Sequence, residues 1–233
     1  MLSKVKKQKI VFDYVILFTT FCLILFLGIK KGQKFIKLLP TLVSLVVYLL
    51  ASWANRFNYL LGAFNSILYS ISFFSERLYA SMVSALIFGF GLQIITFFRW
   101  KKRAYGRATV FRKLSLVQEI ILVICFVCVW LLITTVVKLF PSAQQAVSDA
   151  LGFVAGNGAM ILMAFAFIEA LPFYLINTLN SLYIWIRTVI NGNTANLTYV
   201  VSMCFSLYCT VFMCIKWIKI YKAQQFSTAG EDV

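Results

Sequence analysis

Polar residues divide this chain into eight apolar stretches, over residues 11–29, 36–53, 58–75, 78–98, 115–139, 147–167, 170–190 and 195–218. Each is close to the roughly 20 residues that a helix needs to cross the hydrocarbon of a bilayer. Inside several of them, polar side chains recur at steps of three and four, which puts them on one helical face. Some turns are very short, notably Ser75-Glu76-Arg77 and the stretch around Glu169, so their neighbours are expected to form antiparallel helix hairpins. The pattern predicts an all-α integral membrane protein with eight spans.

Two of the stretches read alike. Asn65-Ser66-Ile67-Leu68-Tyr69 is followed by Arg99-Trp100, and Asn180-Ser181-Leu182-Tyr183 by Lys216-Trp217. The asparagines lie 115 residues apart and the tryptophans 117, a difference that fits the longer polar turn Asn191-Gly192-Asn193-Thr194. Spans 2–4 therefore match spans 6–8. A three-helix unit ends on the side opposite to where it began, so a second unit in the same orientation needs one extra crossing, which span 5 supplies. The expected layout is 1 + 3 + 1 + 3, with two parallel repeats about an axis along the membrane normal. Residues 1–30 are the extra helix, 36–100 the first repeat, 115–139 the linker helix, 147–218 the second repeat and 219–233 a tail, all in one transporter domain.

Composition supports the membrane reading. The chain is 62% hydrophobic and 12% charged, where a soluble domain is about 25% charged, and its mean hydropathy is +0.90. The first apolar stretch lacks a small-residue cleavage site and many spans follow it, so it reads as a retained helix rather than a signal peptide. The net charge of +15 lies between the apolar runs and sets topology rather than marking a nucleic-acid partner. With the N-terminus inside, the inner side carries Lys4, Lys6, Lys7, Lys9, Arg56, Arg99, Lys101, Lys102, Arg103, Arg107, Arg112, Lys113, Lys216, Lys219 and Lys222. The outer side carries Lys30, Lys31, Lys34, Lys37, Arg77, Lys138 and Arg187. Both termini are therefore expected in the cytoplasm. The lysines between spans 1 and 2 would sit better inside if span 1 were peripheral or re-entrant.

Polar side chains at membrane depth turn toward the bundle interior. Asn58, Gly62, Asn65 and Tyr69 share a face in span 3, as do Gly89, Gln93, Thr96 and Trp100 in span 4. Tyr174, Asn177, Asn180 and Ser181 line up in span 7, and Tyr199, Ser202, Ser206 and Cys209 in span 8. These faces could form a slot of neutral hydrogen-bonding groups and aromatic planes, or could simply join helices. Trp53, Trp100, Trp185 and Trp217, near span ends, read as interfacial anchors. Gly152 and Gly156 read as a close helix contact, and Cys125 and Cys128 as small apolar residues facing lipid rather than a redox pair.

Several chemistries are excluded. Histidine is absent, and Asp13, Glu119, Asp149 and Glu169 lie near span ends. With no paired carboxylates in mid-membrane, neither general acid–base catalysis, a metal enzyme nor a proton relay is expected. No Walker or Rossmann glycine pattern is present, so no nucleotide-driven step or cofactor is expected.

The run Asn55-Arg56-Phe57-Asn58-Tyr59-Leu60-Leu61-Gly62, with Leu68-Tyr69, Phe73-Phe74, Arg77-Leu78-Tyr79-Ala80 and Trp100, resembles the first half of the PnuC family of bacterial vitamin transporters. Ser148-Asp149-Ala150-Leu151, Glu169 and Lys216-Trp217 look similar to its second half, and the resemblance spans residues 36–219. It implies facilitated uptake across the cell membrane of a nucleoside-like vitamin, typically nicotinamide riboside, which feeds NAD synthesis. Relatives carry thiamine, riboflavin or deoxynucleosides. It further implies trapping by a cytosolic kinase and a homotrimer with one pathway per protomer. Riboside carriers usually have Gln in span 6 and Trp at the start of span 7. The nearest positions here hold Met160 or Asn157, and Leu171 or Tyr174. In this reading Asn58, Asn65, Gln93, Asn177 and Asn180 hydrogen-bond the sugar or amide, and Tyr69, Tyr174 and Tyr199 stack on the ring. A sugar carrier of similar layout and a membrane scaffold or complex subunit are the alternatives.

Overall fold

The computed structural model describes residues 2–105, 108–140, 143 and 145–229, with side chains given from Ile10 to Phe226. Arg107, Glu231, Asp232 and the side chains of Lys4, Lys6, Lys7 and Lys9 lie outside it. The described residues form eight helical rods. These are α1 (Leu2–Lys30), α2 (Phe35–Ser52), α3 (Phe57–Ser75), a rod in which α4 (Tyr79–Val83) passes through a π-helical turn (Ser84–Gly89) into α5 (Phe90–Lys102), then α6 (Leu116–Lys138), α7 (Ala146–Ala164), α8 (Ala170–Ile190) and α9 (Leu197–Ala229). Between α5 and α6, β1 (Ala104–Tyr105) pairs antiparallel with β2 (Ala108–Thr109).

Hydrocarbon offers no partner to a backbone amide, so these apolar runs become helices that satisfy their own N–H and C=O groups. Six rods meet the length and hydropathy needed to cross a membrane. α3 and α8 fall short on hydropathy, because they carry the most polar side chains into the bundle. α1 is unbroken, and its Ile10–Lys30 stretch is long and apolar enough to cross. It is held by Asp13, whose buried carboxylate accepts from Trp53 Nε1 and from the Tyr208 hydroxyl, each at 3.0 Å.

Helix ends repeat the sequence match. α2 and α7 stop at Ala54 and Ala166, both left-handed, with φ of 53° and 63°. α3 and α8 stop at Arg77 and Gly192, with φ of 56° and 98°. At each, the following N–H returns to the carbonyl five residues back, as in Asn55 N to Leu50 O and Phe167 N to Leu162 O, the Schellman arrangement that closes a helix end.

The packing follows the same rule. α2 lies on α9 and α7 lies on α5, so the first helix of each predicted unit packs on the last helix of the other. α1 rests on α2 and α9, and α6 mainly on α7. At the end of α5, Trp100 meets Trp217 of α9 with ring centroids 5.5 Å apart, each 1% exposed. Trp185 is also buried, at 3%. These three indoles are thus not interfacial anchors: two fill the point where the last helices converge, and the third packs between α3 and α9.

Arg77 is an exposed non-glycine residue in left-handed geometry, a conformation that costs roughly 1–2 kcal/mol when a Cβ is present. Arg77→Gly is expected to stabilise the protein by about 1 kcal/mol, and Arg77→Val to destabilise it. Thermal unfolding in detergent measures both.

Candidate functional site

A cavity of about 290 Å³ lies at the centre of the bundle. Its lining comes from α2, α3, the α4–α5 rod, α7, α8 and α9, with nothing from α1 or α6. None of the described lining residues is Asp, Glu, Lys or Arg. The walls are amides, hydroxyls, aromatic rings and thioethers.

Five of the eight residues singled out in the sequence line this cavity: Asn58, Tyr69, Gln93, Tyr174 and Asn177. Gln93 is fixed by a 2.9 Å bond from Nε2 to the Ser66 hydroxyl, which itself donates to Gly62 O at 3.0 Å. Its amide occupies the space that a side chain at Gly62 would need, since a Cβ there would stand 2.0 Å from Gln93 Oε1. Gly89 plays the same part for Ser66, at 2.7 Å from a would-be Cβ. It closes the π-helical turn, which also turns Ser84 and Ala85 toward the cavity. Opposite, Gly156 lets α7 approach Asn177, whose Oδ1 would lie 3.4 Å from a Cβ there. Among the described residues Asn177 has no side-chain hydrogen-bond partner.

Asn65, Asn180 and Tyr199 do not line the cavity. Asn65 Nδ2 bonds Pro40 O on α2 at 3.0 Å and the Ser44 hydroxyl at 2.8 Å. Asn180 Nδ2 bonds Ser148 O on α7 at 2.8 Å. The matched asparagines thus do one job twice, clamping the second helix of each unit to the first. They share a sequence face with the lining residues, but that face is broad enough for one edge to meet the neighbouring helix. Tyr199 is fully buried, stacks on Trp185 at 4.2 Å and 22°, and donates to Lys37 O at 3.2 Å. It ends a row of rings, Tyr69–Phe73–Trp185–Tyr199, that crosses from α3 through α8 to α9.

Sequence reasoning missed Tyr59 and Trp217. Tyr59 lies 115 residues before Tyr174, the offset of the asparagines, and the repeat alone could have found it. Tyr59 packs on Trp100 at 5.0 Å, and Tyr174 on Trp217 at 6.3 Å, both edge-to-face. Together the four rings form a layer at one end of the cavity. Three buried atoms of lining residues have no partner among the described residues: Asn58 Oδ1, the Tyr59 hydroxyl and Trp217 Nε1. Of the positions left open by the resemblance, Met160 and Tyr174 line the cavity. Asn157 instead accepts from Ser84 at 3.1 Å, and Leu171 packs in the core.

Outside the cavity, in the turn between α3 and α4, Glu76 is a carboxylate with three donors. Lys37 Nζ reaches it at 3.4 Å, Asn193 Nδ2 at 3.2 Å and Asn196 Nδ2 at 3.0 Å. Asp149 caps the start of α4 by accepting from the backbone N–H groups of Ala80 and Ser81 and from the Ser81 hydroxyl. Both carboxylates hold elements together at the end of the bundle where α3 passes into α4, and neither lines the cavity. Cys125 and Cys128 are exposed on α6, outside the cavity. Among the described residues no cluster of His, Cys, Asp and Glu could hold a metal ion.

Comparison with known proteins accords with this architecture. The family model described as nicotinamide mononucleotide transporter matches residues 34–219. A crystal structure of the vitamin B3 transporter PnuC shares the fold, with a TM-score of 0.77 over 91% of this chain and 93% of that one at 17% identity. No curated protein matches the chain. The chain belongs to the nicotinamide mononucleotide transporter family, the PnuC family of its sequence resemblance. It is a multi-pass membrane transporter, not an enzyme.

Asn65→Leu and Asn180→Leu are expected to lower stability by about 1–2 kcal/mol each, the scale of an interhelical amide bond, with affinity for the transported molecule unchanged. Asn177→Leu is expected to leave stability within about 0.5 kcal/mol and to weaken affinity about tenfold, the loss of one buried hydrogen bond. Thermal unfolding and equilibrium binding on the same samples check this split.

Proposed function

We propose that this transporter carries nicotinamide riboside by facilitated diffusion, moving it through the central cavity without ion coupling. The observation that carries this reading is the uncharged lining with unpaired polar atoms on Asn58, Tyr59, Asn177 and Trp217. A 5′-phosphate carries nearly two negative charges near neutral pH. In a water-poor cavity it would have no counter-charge, at a cost of several kcal/mol. The riboside lacks that group. Its positive pyridinium ring suits the electron-rich faces of Tyr and Trp, which hold a cation without a buried carboxylate. Asn177 and Asn58 supply amides for the sugar hydroxyls or the carboxamide, with Gln93 beside them. Tyr69 and Tyr174 supply aromatic surface. The volume suits one such molecule, near the lower end of the 300–1,000 Å³ typical of small-ligand sites.

The same chemistry supports one-way accumulation. Once a cytosolic kinase phosphorylates the riboside, the product is excluded from the uncharged cavity and stays inside. The reciprocal packing of α2 on α9 and α7 on α5 supports alternating access, with residues 36–100 and 147–218 as two units joined by α6. The excess of Lys and Arg on one side supports cytoplasmic termini in a plasma membrane. α6 is apolar along its length and stands outside the cavity, so the homotrimer of this reading can assemble without blocking the pathway.

Purified protein in liposomes is expected to take up labelled nicotinamide riboside down its gradient, at a rate that does not change with an imposed proton or sodium gradient. Uptake that appears only with an ion gradient would overturn the facilitative mechanism, and uptake of thiamine or a deoxynucleoside in its place would overturn the substrate.

A further inference from the structure

The Trp100–Trp217 layer is backed by a residue from neither repeat. Phe111, in the segment between β2 and α6, is 4% exposed and packs on Trp100 at 5.9 Å and on Trp217 at 5.4 Å. Of the three rings only Trp217 lines the cavity. Phe111 thus stands behind it, on the side away from the cavity.

The segment is tied down at several points. Gln224, on the part of α9 beyond the apolar run, holds it with both ends of its amide. Phe111 N donates to Gln224 Oε1 at 2.9 Å, and Gln224 Nε2 donates to Thr109 O at 3.0 Å. Arg112 N donates to Ala166 O at 2.8 Å, and Ile168 N to Arg112 O at 2.9 Å. Leu114 N donates to Glu169 Oε1 at 3.0 Å. The strap therefore joins the end of α9 to the α7–α8 turn and passes under the point where α5 and α9 converge.

We infer that Phe111 is the plug that closes the cavity at its tryptophan end, and that Gln224 is the positioning residue that latches it. Each unit supplies one indole to the layer, so any separation of α5 from α9 opens a gap between Trp100 and Trp217. Phe111 fills the space below that gap, and it leaves only if the two Gln224 bonds break. Those bonds fix the plug by backbone geometry, with donor and acceptor placed to match a primary amide. Glu at position 224 keeps the shape but offers Thr109 O no donor, whereas Asn keeps the chemistry but is one methylene short. Phe111 itself is held by ring packing on Trp100 and Trp217, and the two Gln224 bonds are the polar contacts that fix its backbone.

This inference rests on the transport reading, but its test needs no substrate. Cys209 lines the cavity and is 2% exposed, so it reports natively on opening. A charged, membrane-impermeant thiosulfonate reagent is applied to the full-length protein in detergent, with Cys209→Ser defining the background. Phe111→Ala and Gln224→Glu are expected to speed Cys209 labelling about tenfold or more. Phe111→Leu, which keeps most of the plug volume, is expected to stay within about twofold of the parent. Thermal unfolding is measured alongside, and Gln224→Glu carries the test if Phe111→Ala does not fold. Labelling unchanged in folded Gln224→Glu, or raised equally by Phe111→Leu, would overturn the proposal. Failure of nicotinamide riboside uptake with these labelling results intact would overturn the substrate alone.

Discussion

An amide in hydrocarbon has no water to bond, and leaving it unpaired costs several kilocalories per mole. That constraint organises this protein. Asn65 and Asn180 meet it by bonding the backbone of the preceding helix, at Pro40 O and Ser148 O. Each bond fixes the angle between two helices of a unit. With those angles set, α5 and α9 converge at Trp100 and Trp217, and space is left between the units. Asn58, Tyr59 and Trp217, each with a polar atom left unpaired, face that space together with Asn177 and Gln93, so this apolar chain encloses a cavity with amides in its wall.

The charged residues obey the same rule in a different way. Glu76, Asp149 and Glu169 sit at helix ends, where backbone N–H groups, side-chain amides or a lysine meet them, and Asp13, within α1, is met by the Trp53 indole and the Tyr208 hydroxyl. They bind the edges of the bundle, and the centre stays free of charge. A carrier with such a centre has no built-in group for taking up a proton or for pairing with a phosphate. In the proposed mechanism, binding rests on neutral hydrogen bonds and ring faces, both of which tolerate either direction of travel.

Much of this was legible in the chain. The eight apolar runs coincide with the eight rods, because the length and hydropathy that a bilayer demands leave few alternatives. The Asn-Ser and Trp pairs marked the repeat, and the structure repeats it in the left-handed ends at Ala54 and Ala166. What was not legible was direction within a face. Asn177 and Asn180 are three residues apart and share a stripe, yet one points into the cavity and the other clamps α7. Helical periodicity sets a stripe to within a wide arc, and only the neighbouring helix decides which edge is covered. The tryptophans misled for a related reason: a span end is ordinarily at the membrane surface, but here two span ends meet each other. Tyr59 was hidden by its place in the first turn of α3, although the offset to Tyr174 would have exposed it.

The central claim is that an uncharged cavity selects a nucleoside and rejects its phosphate. Isothermal titration of the purified protein with nicotinamide riboside and with its 5′-phosphate, at one ionic strength, tests it most directly. The account predicts saturable binding of the riboside and at least a hundredfold weaker binding of the phosphate. Equal or tighter binding of the phosphate would contradict it.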